Sequence, residues 1–212
     1  MSGYYTLRET EKAVSERLGD LDLQLNFDAM ATVSNLYRAA SAVRNHFEQS
    51  VLRDVDLTWT GFVVLWVVWI WEEIETKLVA RECGISKGTL TGVAKTLEQR
   101  GLLVRTVPDD DRRLSVLSLT DRSQRLMAEL FPRFNAEEAY ALTGLSARRS
   151  QDLARSLRHI VRHLEEDGEA REAEVREAIG ASELPELAAS RRRNTGAEPS
   201  RPEPGRRRRR PA

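Results

Sequence analysis

The segment TKLVARECGISKGTLTGVAKTLEQRG, residues 76–101, constrains the fold most, because it predicts two short helices separated by a tight turn at Gly84. Ser86 is a suitable N-cap for the second helix. The apolar residues of that helix share one face at the 3.6-residue period: Leu90, Val93, Ala94 and Leu97. This face is expected to pack inward on the supporting first helix.

The opposite face of the second helix is small, polar and basic. Gly88 and Gly92 lie nearly opposite the apolar face and let the backbone approach a partner closely, while hydroxyl and ammonium groups suit phosphates and base edges in a DNA major groove. The pair is therefore interpreted as a helix-turn-helix, with an ordinary surface helix pair as the alternative. The residues expected to contact DNA here are Ser86, Lys87, Gly88, Thr89, Thr91, Gly92 and Lys95.

Two candidate strands, LLVRTV and LSVLSL, follow around the turn PDDDRR. A hairpin directly after a recognition helix is typical of a winged helix, which predicts a mainly α fold with a small β-hairpin wing. Arginine at a wing tip can enter a narrow minor groove, where negative potential is concentrated. Arg112 or Arg113 is expected there; a solvated turn of mixed charge is the alternative.

The composition and the length of the apolar runs limit the class of protein to which this chain can belong. The 212 residues include 33 basic and 33 acidic side chains and one cysteine, so a disulfide within the chain is excluded. The apolar run at 61–71 is much shorter than the ~20 residues that span a bilayer, and the N-terminus does not resemble a signal peptide. We expect a cytoplasmic protein without a membrane segment.

Three segments resemble consecutive elements of the MarR (multiple antibiotic resistance regulator) family of winged-helix transcription factors: LTWTGFVVLWVV, LVARECGISKGTLTGVAKTLEQRGLLVR and DRRLSVLSLT. The resemblance runs from about residue 27 to residue 166. It implies a homodimer of triangular outline that binds a palindromic site in double-stranded DNA. Asp111 and Arg113 match the wing pair of the family, and Arg112 lies between them. Lys95 stands where many members have an aspartate that helps anchor the wing arginine.

With that resemblance, the chain divides into five predicted parts. These are an accessory N-terminal helix (1–25), a dimerisation helix (26–56), a winged helix-turn-helix domain (57–120), C-terminal dimerisation helices (121–168) and a mostly disordered arginine-rich tail (169–212). The tail holds nine arginines after Ser190. It could add affinity for any DNA, because each neutralised phosphate releases counterions, or it could be a solvated terminus.

Family members often bind a small aromatic effector between their dimer and DNA-binding lobes. Residues suited to such a pocket are Tyr37, His46, Trp59, Phe62, Trp66 and Trp69. Core and dimer packing is the alternative explanation for the tryptophans.

The sequence gives little support for redox sensing, metal binding or catalysis. Cys83 is interpreted as a buried, inert thiol rather than a redox switch. His159 and His163 stand four apart, a spacing that suits a metal, but we predict neither a metal site nor a cofactor. No catalytic motif is recognisable, so an enzyme is not expected. The prediction is a transcriptional regulator, more in keeping with a repressor, with a non-sensing architectural DNA-binding protein as the alternative.

Overall fold

The computed structural model describes residues 6–19, 21, 23–107 and 114–186. Seven α-helices and three strands occur in these ranges. In chain order they are α1 (Leu7–Gly19), α2 (Phe27–Phe47), α3 (Trp59–Trp71), β1 (Glu73–Glu75), α4 (Thr76–Glu82), α5 (Lys87–Gln99), β2 (Leu103–Thr106), β3 (Val116–Leu119), α6 (Asp121–Ala141) and α7 (Ala147–Gly180). The predicted fold class, mainly α with a small wing, is confirmed. The described helices include none that is both long and apolar enough to cross a membrane.

Side-chain caps explain where most helices begin. The residue before each of five helices accepts a hydrogen bond from a backbone N–H in its first turn, which satisfies one of the orphan donors there. These caps are Asn26, Thr58, Ser86, Thr120 and Ser146. The cap at Ser86 confirms the predicted start of α5. In the segment before α1, Thr6 and Glu9 exchange hydrogen bonds as a capping box.

The described residues form two compact units, which divide between Thr143 and Gly144. The core of the first unit surrounds α3, where Val64, Leu65 and Val68 have no exposed surface. An aromatic stack extends this core, because the ring of Phe134 on α6 lies 4.2 Å from Phe47 and 4.1 Å from Phe62. Packing in this apolar core positions α3 and α6, and these two helices support the helix-turn-helix.

The small sheet has one strand more than the sequence predicted. β3 lies between β1 and β2 and pairs antiparallel with both, so that Ser118 faces Glu73 on one side and Val104 on the other. β1 was missed because its three residues, two of them glutamates, have no strand signal of their own. Only the pairing with β3 makes them a strand.

Helix boundaries also differ from the sequence estimates. α2 ends at Phe47, and a π-helical turn (Glu48–Leu52) and a 3-10 turn (Arg53–Val55) follow it. Such turns tighten or widen the backbone locally, so they redirect the chain into α3. α7 continues to Gly180, well past residue 169, where the tail was expected to begin.

Candidate nucleic-acid interface

Helix α5 has one buried and one exposed face, as the sequence predicted. Leu90, Ala94 and Leu97 are at most 2% exposed. The seven residues expected to contact DNA are all exposed and lie along the other face and at the helix start: Ser86, Lys87, Gly88, Thr89, Thr91, Gly92 and Lys95. In α4, Val79 and Ala80 are buried, whereas Leu78 is 39% exposed.

Hydroxyl groups on α5 are already oriented by the helix itself. The Thr91 hydroxyl donates to the carbonyl oxygen of Lys87 at 2.8 Å, and the Thr96 hydroxyl donates to that of Gly92 at 3.1 Å. The Ser86 and Thr89 hydroxyl oxygens lie 2.8 Å apart. Each oxygen keeps lone pairs for an outside donor, and the rotamers are fixed before any partner arrives.

The two glycines of α5 have no steric role inside the protein. A methyl group added at Gly92 would meet no atom within 4 Å, and one added at Gly88 would meet only the Ser86 hydroxyl oxygen, at 3.8 Å. Glycine inside a helix costs ~0.5–1 kcal/mol relative to alanine. The packing of the described residues therefore gives no reason for the absence of a side chain at either position, and the surface there is open.

An ion pair joins the wing to the recognition helix. Arg105 on β2 donates from Nε to Oε1 of Glu98 on α5 at 2.7 Å, and from Nη1 to Oγ of Ser115 at 3.2 Å. The Glu98 and Arg105 side chains are each about a third exposed, so solvent screens the pair only in part. Sequence reasoning missed these two residues as a functional pair. The available signal was an acid at the end of the helix and a base on the next strand.

Both ends of the helix-turn-helix are tied to their surroundings. The Thr76 backbone N–H, at the start of α4, donates to the carbonyl oxygen of Ser115 at 2.8 Å. At the end of α5, Arg100 donates from Nη2 to the carbonyl oxygen of Val55 at 3.0 Å. The first hydrogen bond holds α4 against the wing, and the second holds the end of α5 against the turn before α3. The exposed face of α5 therefore has a fixed orientation.

A groove of about 450 Å³ lies where α4, α5 and the wing meet. Lys77, Lys87 and Arg105 contribute cationic groups to its lining, and Glu75 contributes a carboxylate that lies 2.7 Å from the Lys77 ammonium group. Lys77 is paired with Glu75 and Arg105 with Glu98, so Lys87 is the groove cation best placed to meet a phosphate. Arg112 and Arg113, predicted for the minor groove, lie outside the described residues.

The six residues considered for an aromatic pocket lie in different environments. Phe62 is buried, and Trp59 packs near Phe47 and Phe134 at centroid distances of 5.9 and 6.1 Å. Trp69 lies edge-on to Phe131. Phe62 and Trp59 therefore belong to one aromatic stack and form part of the hydrophobic core.

The remaining three pocket candidates are more accessible. Tyr37 is 77% and Trp66 39% exposed. His46 Nε2 lies 2.6 Å from Glu137 Oε2, and its ring stacks on Tyr140. These side chains have polar atoms or ring faces that an added molecule could still reach.

The cysteine is poorly suited to redox sensing. Burial, together with a smaller effect of the nearby Glu82 carboxylate, raises the pKa of the Cys83 thiol to about 11. The thiol is therefore protonated at neutral pH and a poor nucleophile. His159 and His163 stack on one another on α7, and among the described residues no three potential ligands cluster as a metal site would require.

Comparison with known proteins agrees with this geometry. The MarR family model matches residues 57–115. The uncharacterized helix-turn-helix transcriptional regulator YwaE of Bacillus subtilis is 33% identical over 159 residues, which span 74% of this chain and 93% of that protein. The transcriptional regulator MgrA of Staphylococcus aureus is 29% identical over 136 residues, spanning 64% of this chain and 90% of that protein.

A solved structure matches as well. BpsR of Bordetella bronchiseptica, studied for the regulation of its DNA binding by 6-hydroxynicotinic acid, superposes with a TM-score of 0.57. It is 25% identical, and the match covers 61% of this chain and 98% of that one. Together with the exposed face of α5 and the wing beside it, these similarities show that the chain belongs to the MarR family of DNA-binding transcriptional regulators.

Proposed function

We propose that the protein is a repressor that binds a palindromic operator as a homodimer and is released by a small aromatic effector. The observation that carries the DNA contact is the exposed face of α5, where two glycines leave open space between ordered threonines and Lys95. In a two-fold dimer the two α5 helices would enter successive major grooves on one side of the duplex. Half-sites would then lie about one helical turn, ~34–36 Å, apart.

Exposed apolar side chains support self-association. On α2, Phe27, Val33 and Val43 are each more than a third exposed, and the exposed fraction of Val33 is 64%. Several exposed apolar side chains on one helix are consistent with an interface. We assign it to the dimer lobe, formed with the same helix and the C-terminal helices of a second copy.

The wing supplies the second DNA contact in this proposal. β2 and β3 flank residues 108–113, which include Arg112 and Arg113, and the Glu98–Arg105 pair joins β2 to α5. A wing fixed in this way would deliver an arginine to the minor groove beside the major-groove contact. Arginine at that position reads groove width rather than base edges.

Effector binding is proposed for the accessible aromatic residues on α2 and α3. His46, Tyr37 and Trp66 are the stronger candidates, because Phe62 and Trp59 are committed to the stack on Phe134. The regulation of BpsR by an aromatic acid supports this assignment by analogy. A ligand shifts DNA affinity only if it binds the DNA-competent and incompetent states with different affinity.

The first test is selection of bound genomic fragments by the purified protein at ~150 mM salt, followed by titration against random DNA. A specific regulator should enrich one inverted repeat and prefer it by ~10³-fold or more. Changing Arg112 and Arg113 to alanine should weaken that preference strongly. Removing the nine arginines after Ser190 should lower affinity for all DNA alike.

The architectural alternative predicts the reverse pattern. It would show little preference among fragments, a steep salt dependence and the larger loss on removal of the arginine-rich segment. Loss of operator binding with that truncation, with no effect of the wing substitutions, would reject the proposed roles.

A further inference from the structure

A carboxylate lies inside the groove that α4, α5 and the wing form. Glu75 is the last residue of β1, and its side chain lines this groove together with those of Lys77 and Lys87. Its Oε2 atom is shielded from solvent and has no hydrogen-bond partner among the described residues. A buried oxygen of this kind calls for an explanation, because nearly all buried polar atoms in native proteins are hydrogen-bonded.

The charge of Lys77 compensates this oxygen. Lys77 Nζ lies 2.7 Å from Glu75 Oε2, and the Glu75 side chain is 29% exposed whereas that of Lys77 is 61% exposed. The contact lacks the angles of a hydrogen bond, so it is an ion pair held by charge attraction. If Lys77 moved away, it would leave a partly buried charge uncompensated. Glu75 therefore retains Lys77 and keeps it from other anions.

Glu75 also occupies a position where another residue would stabilise the fold better. It is the N-cap of α4, with an extended backbone, and its side chain makes no capping hydrogen bond. Good capping residues are serine, threonine, asparagine and aspartate, and such residues cap α2, α3, α5, α6 and α7. A residue that forgoes a local stabilising contact is expected where function requires it.

The Glu75–Lys77 pair does not position distant elements. It joins the end of β1 to the start of α4, which are already consecutive in the chain, whereas the Arg105–Glu98 pair joins β2 to α5. With Lys77 and Arg105 both paired, Lys87 is the groove cation without an acidic partner among the described residues. The consequence of the Glu75–Lys77 pair is therefore electrostatic.

We propose that Glu75 restrains the contact of this groove with DNA phosphates. It neutralises Lys77 and keeps a negative charge in the groove that also holds Lys87. Because phosphate contacts do not depend on base identity, Glu75 limits the sequence-independent part of DNA affinity. This inference rests on the proposed placement of the α5 face on DNA and adds a residue that weakens this contact.

Glu75→Gln removes the charge at nearly constant size and frees Lys77 for a phosphate. One added phosphate contact should steepen the slope of log K against log salt by ~0.9 and raise affinity roughly fivefold at ~150 mM salt. Both changes should appear on operator and on random duplex DNA. Titration of the full-length protein at several salt concentrations measures them. An unchanged or weaker affinity would overturn the restraint.

A double variant tests whether Lys77 carries the gain. Glu75→Gln with Lys77→Ala should return both the affinity and the salt slope to wild-type values, since the two charges of the pair are then absent. A gain that persisted in the double variant would overturn the role of Lys77 and, with it, the proposal.

Glu73→Gln is the matched control for net charge. Glu73 is exposed, lies two residues earlier on β1 and is not among the residues that line the groove. Its substitution should leave affinity within about twofold of the wild type, because salt screens exposed charges over ~8 Å. An equal gain in this variant would assign the effect to net charge and overturn the assignment to the groove.

Glu75→Ser separates the binding effect from any change in folding. Serine removes the same charge and can cap α4, so the melting temperature should rise together with DNA affinity. A rise in stability without a gain in affinity would reject the restraint.

Lys87→Ala distinguishes this inference from the proposed DNA face. Loss of affinity in Lys87→Ala, with no change in Glu75→Gln, overturns the restraint and leaves the proposed DNA face standing. No change in either variant overturns both.

Discussion

Arg105 on β2 donates a charge-assisted hydrogen bond of 2.7 Å to Glu98 on α5, and this contact links the wing to the recognition helix. Lys95 on the same helix is exposed, and Glu98 lies nearly one turn further along it.

Replacing Glu98 by Gln should loosen the wing without unfolding the protein. The charge-assisted bond to Arg105 weakens, and operator affinity should fall by about 1 kcal/mol, roughly fivefold. Unfolding free energy should change by less than ~1 kcal/mol, because the pair is partly solvated. Operator titration and thermal melting measure the two effects. Glu129→Gln makes the same change of charge at an exposed site on α6 and should leave affinity unaltered.

Gly92→Ala should have opposite effects on stability and on DNA binding. The new methyl group meets no protein atom within 4 Å, so the helix should gain ~0.5–1 kcal/mol. The same methyl group would obstruct the DNA, with an expected loss of ~1–3 kcal/mol in operator affinity. Gly19→Ala, at the end of α1 and equally open, should spare DNA binding. Unchanged affinity in Gly92→Ala would remove α5 from the interface.

Lys95→Ala should lower the salt dependence of binding. If the ammonium group neutralises one phosphate, the slope of log K against log salt should fall by about 1, with similar losses on operator and random DNA. Titrations at several salt concentrations give this slope. Lys12→Ala, on α1, provides a comparison in which no change of slope is expected.

Phe134→Ala should destabilise the first unit. The substitution removes a ring that is 4% exposed and stacks on both Phe47 and Phe62, so a cost of ~3–5 kcal/mol is expected. Chemical denaturation gives the value. Gln124→Ala, exposed on the same helix, should remain within ~0.5 kcal/mol of the unaltered protein.

Cys83 should resist thiol reagents at neutral pH. Because its pKa is raised to about 11, its thiolate fraction at pH 7 is far below that of a free cysteine, and modification should be roughly 10²-fold slower. The rate should increase with pH until the thiol ionises near that value. Rapid labelling at pH 7 in the folded protein would contradict the raised pKa of this half-buried thiol.

Local patterns in the sequence determined the helix-turn-helix and the wing strands. The cap at Ser86, the apolar spacing of Leu90, Ala94 and Leu97, and the alternation in LSVLSL each depend on near neighbours, and the structure confirms the elements they predict. The exposure of Gly88, Gly92 and Lys95 follows from the same 3.6-residue period. Their contact with DNA stays a prediction.

The remaining strand and side-chain contacts depend on residues far apart in the sequence, whose neighbours along the chain do not predict them. Glu73–Glu75 becomes a strand only beside β3, and Glu98 acquires its role only when β2 folds back alongside α5. The tryptophans looked alike in sequence, yet Trp59 joined the stack around Phe134 while Trp66 remained exposed. Periodicity fixes which face of an element is apolar, whereas packing between distant segments decides what covers that face.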